Sequence, residues 1–245
     1  MFSSFMTNDH RVIIEKKHDF FEIDNLGNFI LVNQNELLKY KPDGTYFNRY
    51  SNLKLGPIFS LDATNGLRLL VYYKDFQQIV FLDSQLSSNS SPVSLENLGL
   101  EQAALVCSSA NNGIWVYNAA NNELIRFSDN LKEMIKSGNL KQILREDISP
   151  DFMVESNGFV YLNVPDKGIY VFDIFGAFIK VISLKNLSSI SIQENLIYSL
   201  KGGKFCSYDF KLFEEKCDSL GGEDAKDAAF FKGQIFWSSG NQIIN

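Results

Sequence analysis

Histidine is nearly missing from this sequence, which has two, His10 and His18. Eight strand positions at about 3.3 Å each would hold them roughly 26 Å apart, too far to share a metal ion. A Gly-x-Ser-x-Gly elbow is also missing, which removes a serine hydrolase of that type. The paired glycines Gly202-Gly203 and Gly221-Gly222 lack the spacing of a phosphate loop and precede no helical pattern. No run of 18 apolar residues occurs, so no helix is expected to span a membrane. Lys and Arg number 23 against 29 Asp and Glu, a net charge of −6, and they form no stripe. That argues against a nucleic-acid partner, because affinity for phosphate backbones comes from clustered basic groups. Lys16 and Lys17, beside Arg11, read as solvated charges on an edge strand. Three cysteines with no C-x-x-C pair indicate neither a disulfide scaffold nor a zinc knuckle.

What is present is apolar and repetitive. Hydrophobic residues make up 45% of the chain and 21 are Phe, ample for several cores. Residues 20–50, FFEIDNLGNFILVNQNELLKYKPDGTYFNRY, pack four β-branched or aromatic runs and their turns into one passage. Asn25-Leu26-Gly27 and Pro42-Asp43-Gly44 are hairpin signals, with glycine supplying positive φ and proline presetting the first turn position. The third-strand pattern, an aromatic followed by a polar turn, returns at Tyr40, Phe81, Phe127, Phe172 and Tyr208, separated by 41, 46, 45 and 36 residues. The first hairpin returns as IDNLGNFI, LDATNGLRLL, SSANNGIWV, ESNGFVYL, IQENLIYS and FFKGQIFW. Four strands per period near 40 predict an all-β, six-bladed β-propeller of four antiparallel strands per blade.

Six first hairpins stand against five third-strand motifs. After FFKGQIFW only a short run remains before Asn245, so the sixth blade is one strand short. The otherwise unpartnered HRVIIEKKH, residues 10–18, is expected to pair beside Asn241–Asn245 and close the sixth blade. Residues 10–245 then form one propeller domain. Residues 1–9 read as an N-terminal extension or signal-peptide remnant. MFSSFMTN has no basic n-region and no apolar core of about 7–15 residues. With a start further upstream, it would sit where an h-region ends and cleavage occurs. The expected location is the periplasm or cell envelope in that case, and the cytoplasm otherwise.

Cys107 falls on an inner strand and reads as a small buried apolar residue. Cys206 and Cys217 count back almost equally from the turn of one outer hairpin. Matched register brings the sulfurs together as a disulfide, and a slip of one residue puts them on opposite faces. The stretches 84–102 and 137–150 read as long surface loops, the second with a helical turn carrying Leu140, Ile143 and Leu144 on one side. Long loops on a regular scaffold are where a partner is gripped. The expected binding face therefore joins Val93, Leu95, Ile143 and Leu144 with the acids Glu101, Asp151 and Asp227. An alternative uses positions just before the inner strands. There His18, Asp19, Glu101, Asp151 and Asp227 would hold a hard cation for a metal-dependent hydrolase or lactonase.

The inner hairpin, aromatic third strand and D-x-x-G turn, repeated over nearly the whole chain, resemble the six-bladed propellers of the NHL and Tol-type families. The resemblance implies a protein-binding platform of the bacterial cell envelope. The chain shows no matching set for the metal-binding Glu, Asn and Asp of sugar-lactonase propellers. The resulting expectation is a non-catalytic scaffold subunit without a cofactor, bound to protein and peripherally associated with a membrane complex.

Overall fold

The computed structural model describes residues 11–88, 90–220 and 225–245. The expected 1–9 extension and His10 lie outside them. In chain order the strands begin with β1 (Val12–Glu15), β2 (Phe20–Ile23), β3 (Phe29–Asn33), β4 (Glu36–Tyr40) and β5 (Tyr46–Ser51). Then come β6 (Ser60–Asp62), β7 (Leu69–Tyr73), β8 (Gln78–Leu82) and β9 (Val93–Ser94). They are followed by β10 (Ala103–Ser109), β11 (Gly113–Asn118), β12 (Glu123–Phe127), β13 (Glu133–Lys136) and the helix α1 (Leu140–Leu144). Next are β14 (Phe152–Ser156), β15 (Phe159–Val164), β16 (Gly168–Asp173) and β17 (Phe178–Ile182). The chain finishes with β18 (Ser188–Gln193), β19 (Leu196–Lys201), β20 (Lys204–Asp209), β21 (Glu214–Ser219), β22 (Asp227–Phe231), β23 (Gln234–Ser238) and β24 (Gln242–Ile244).

These strands form six four-stranded antiparallel sheets, the blades of a six-bladed β-propeller. Five blades use consecutive strands, β2–β5 through β18–β21. The sixth runs β1-β24-β23-β22, so the N-terminal strand supplies its outermost position, pairing Val12 with Ile244, Ile14 with Ile243 and Glu15 with Gln242. The apolar alternation explains the seating, since Ile14 is buried and Glu15 faces solvent.

Contacts group the chain into two compact units. One takes the chain up to Leu53, Ala63–Gly66 and Leu187–Asn245. Its core joins Phe21, Phe29, Leu31 and Leu38 to Phe236 and Ile243, with the Phe29 and Phe236 rings edge to face at 5.1 Å. The other unit takes Lys54–Asp62 and Leu67–Asn186, and packs Trp115, Tyr117, Leu162 and Phe172 around Met153 and Leu140. Burying each such side chain contributes about 1.5–3 kcal/mol.

The stretch 84–102 is not all loop. Val93 and Ser94 form β9, the outermost strand of the second blade, paired with Ile79 and Gln78. A strand of two residues carries no readable alternation, so the Ser-rich flanks dominated its sequence signal. Helix α1 is one short turn, capped where the Asn139 side chain accepts from the Gln142 amide at 3.1 Å.

Candidate functional site

His18, Asp19, Asp151 and Asp227 each have partners within the fold. Asp19 is exposed and its Oδ2 accepts the Gln34 amide at 2.7 Å, while its own amide donates to Val32 O. Asp151 repeats the arrangement, with its amide on Asn163 O and its Oδ1 accepting Asn163 Nδ2 at 2.7 Å. Each braces the start of a first strand against the end of the second. Glu101 is exposed.

His18 is buried. Its Nδ1 lies 2.7 Å from the Lys16 carbonyl, which can only accept, so Nδ1 carries a proton; in the neutral ring Nε2 then accepts from the Ser238 hydroxyl at 2.5 Å. Ser238 in turn accepts the Gly240 amide at 2.8 Å, and the His18 amide donates to Gly240 O. With both nitrogens engaged, the ring fastens the corner between β1 and β2 to the turn between β23 and β24.

Asp227 ties three strands of its unit together. Its Oδ2 accepts the Phe21 amide of β2 at 2.9 Å, and its Oδ1 accepts the Ser189 hydroxyl of β18 at 2.5 Å and the Ala228 amide at 2.9 Å. Burial pushes its carboxyl above the usual aspartate range, against the opposing pull of those donors and of His18.

The expected partner-gripping residues are only partly on the surface. Leu95 is fully buried in the core with Tyr72, Leu100 and Ile114, which corrects its assignment to an exposed loop. The reason is β9: once Val93 and Ser94 join the sheet, Leu95, two residues after Val93, falls on the same core-facing side. Val93 packs against that same cluster and Leu144 against the neighbouring one, so of the four only Ile143 stands well exposed, at 44%. The structure does not gather His18, Asp19, Glu101, Asp151 and Asp227 into one ligand group. Among the described residues, the only three His, Cys, Asp or Glu side chains whose ligating atoms lie within 4.8 Å of one another are Cys206, Glu215 and Cys217. Cys206 and Cys217 are Cα partners across β20 and β21 and are joined as a disulfide, while Cys107 is free and buried.

The sequence reading passed over the acids of the first hairpins. Asp62 accepts the Ser108 amide at 2.7 Å. Glu155 accepts the Ser109 hydroxyl at 2.5 Å, the Ala110 amide at 3.0 Å and the Trp115 indole at 2.6 Å. Asp24, fully buried, caps its own turn through Leu26 and Asn28 and meets the buried Lys39 at 3.2 Å. The signal was there as I-D, L-D and V-E at the ends of three first strands.

Among the described residues, the strand with most exposed large apolar side chains is β17. Phe178, Ile179 and Val181 are 36%, 49% and 37% exposed, and Phe175 in the preceding turn is 69% exposed. Lys180 is the single charge between residues 174 and 184. The corresponding edge β21 carries Glu214, Glu215, Lys216 and Asp218 instead.

No family model and no curated protein matches the sequence. Solved structures do match in fold. A streptogramin B lyase is 15% identical, with 92% of this chain and 78% of that one covered at a TM-score of 0.61. BBS1N, solved in complex with ARL6DN, is 10% identical over 89% of this chain and 74% of its own, at 0.59. BamB from Moraxella catarrhalis is 12% identical over 91% and 67%, at 0.51. At such identities the likeness is one of fold, the β-propeller, which this chain builds from six blades.

Proposed function

We propose that this chain is a non-catalytic, protein-binding propeller that serves as a subunit or accessory of a larger assembly in the cell envelope. The carrying observation is the β17 edge. Exposed strand edges are normally blunted by charge, proline or twist, whereas this one offers Phe178, Ile179 and Val181 with Lys180 between them. The occupant is an extended segment of another protein, added as a further strand, with apolar side chains that meet Phe178, Ile179 and Val181. A second copy of β17 fits poorly. Antiparallel pairing centred on Lys180 would set two like charges opposite each other, and five paired residues bury far less than the roughly 800 Å² per partner of a stable dimer.

Glu101, Ile143 and Asp151, all exposed in the same unit, are proposed as further contacts. The envelope setting is supported by the likeness to BamB, a bacterial cell-envelope propeller. BBS1N, crystallised with ARL6DN, supports partner binding on this fold.

A photo-crosslinking residue placed at 179 tests the reading in the full chain. The expected result is one protein adduct from position 179 that disappears when Val181→Asp is added, with the melting temperature unchanged. Adducts from position 143 but none from 179 would move the binding face to the loops. Adducts from neither would end the protein-binding reading.

A further inference from the structure

Cys206 and Cys217 are opposite each other on the outer hairpin of the fifth blade, with Cα atoms 4.0 Å apart. Glu215 lies two residues before Cys217 and therefore on the same face of β21. One oxygen of its carboxylate and the two sulfurs all fall within 4.8 Å of one another. A tetrahedral zinc ion with bonds of about 2.3 Å to sulfur and 2.0–2.2 Å to oxygen needs ligand atoms roughly 3.5–3.8 Å apart. Cys206 is buried while Glu215 and Cys217 are exposed, so one side is closed by protein and the other is open to a water as fourth ligand.

We propose that this hairpin holds a thiolate-preferring divalent metal, zinc by its ligand chemistry, whenever the disulfide is reduced. The inference is independent of the partner-binding reading. Two equivalents of a thiol reductant, or one of a dithiol, deliver two electrons to the S–S bond. The products are two cysteine thiols and the reductant's own disulfide. Zinc then takes the place of one proton on each thiol, releasing two protons, and the Glu215 carboxylate completes the protein ligands. Two soft sulfurs with one carboxylate select zinc over calcium or magnesium, which prefer all-oxygen shells.

The surroundings suit an exchange of cations. In the disulfide form Lys201 Nζ sits 2.8 and 3.2 Å from the two Glu215 oxygens. The metal would replace Lys201 as the counter-charge of Glu215. The hairpin is thus stapled in either redox state, by a covalent bond under oxidising conditions and by a metal under reducing ones.

Cobalt titration of the full chain tests this, in the oxidised form and after reduction by a phosphine that does not bind the metal. The reduced parent should take one Co²⁺ per chain with sulfur-to-cobalt charge-transfer absorption, and Zn²⁺ should displace it. The oxidised parent should show no such absorption. Glu215→Gln, with an oxidised form that melts like the parent, should weaken cobalt binding by at least about tenfold. Cys217→Ser should abolish the absorption. Absence of the absorption in the reduced parent, its survival in Cys217→Ser, or parental affinity in Glu215→Gln would each overturn the site.

Discussion

His18 Nε2 and Ser238 Oγ meet at 2.5 Å across 220 residues of chain, both buried. The bond secures the segment that leads from the closing strand β1 into the first blade. Ser238→Ala leaves the imidazole nitrogen and the Gly240 amide without their partner, and a buried polar group so orphaned costs about 1–3 kcal/mol. Urea unfolding should show that loss, and hydrogen exchange at Ile14 and Ile243 should accelerate before the rest of the unit. Unchanged exchange at β1 would separate the latch from strand closure.

Gly44 is a second anchor for β1. At φ +83°, a Cβ there would lie 2.4 Å from the Ile13 carbonyl oxygen. Gly44→Ala should therefore cost about 2 kcal/mol or more, combining the left-handed backbone with a clash against main chain. Gly202→Ala is the control. Its φ is +58° but nothing lies within 4 Å, so only the backbone cost of about 1–2 kcal/mol applies. Equal melts for the two variants would show that the turn does not press on β1.

Asp227 makes stability depend on pH in a defined sense. Because burial raises its folded carboxyl value, its contribution is fully present below the unfolded value near about 3.9 and is lost as pH rises through the folded value. Asp227→Asn is uncharged throughout. The variant's stability relative to the parent should therefore improve from acid towards neutral pH, read by urea unfolding at a series of pH values. A constant difference would mean that the carboxyl titrates alike in the folded and unfolded chains.

The Cys206–Cys217 link spans a sequence separation of 11. In the chain-entropy account a loop so short contributes at most roughly 3 kcal/mol. The double variant Cys206→Ser with Cys217→Ser should fold with a modestly lowered melt. Alkylation of the unfolded oxidised parent should label Cys107 alone. Labelling of all three thiols would show that the bond had not formed under those conditions.

The architecture was legible because period-2 apolar runs and aromatic third strands recur, and Tyr40, Phe81, Phe127, Phe172 and Tyr208 all lie on third strands. The turn after those strands shows how a repeat outlives its signature. Gly44 and Gly176 take positive φ there, and so do Leu86, Leu131 and Phe213, at 59°, 57° and 60°. What persists in most of these turns is an acid. Asp83, Asp173 and Asp209 each accept following amides, and Asp83 and Asp209 hold their turns without glycine. The candidate site was less legible, because a carboxylate that braces a strand and one that meets a ligand read alike in sequence. Asp151 and Asp227 differ only in which partners the fold brings to them. The exposed β17 edge gave no warning either, since FIKVI would read the same on a buried strand.

Closure by β1 also sets a clock on synthesis. Ile14 leaves the ribosome before its partner Ile243, which follows 229 residues later. At about 5–20 residues per second, the wait is on the order of 10–50 seconds. Through that interval Val12, Ile13 and Ile14 have no sheet to join, and the loop that must finally close spans 229 residues. Lys16, Lys17 and Glu15 flank those three apolar residues. Charges so placed keep a waiting strand from pairing with its neighbours on a polysome, and they remain solvent-facing once the sixth blade is complete.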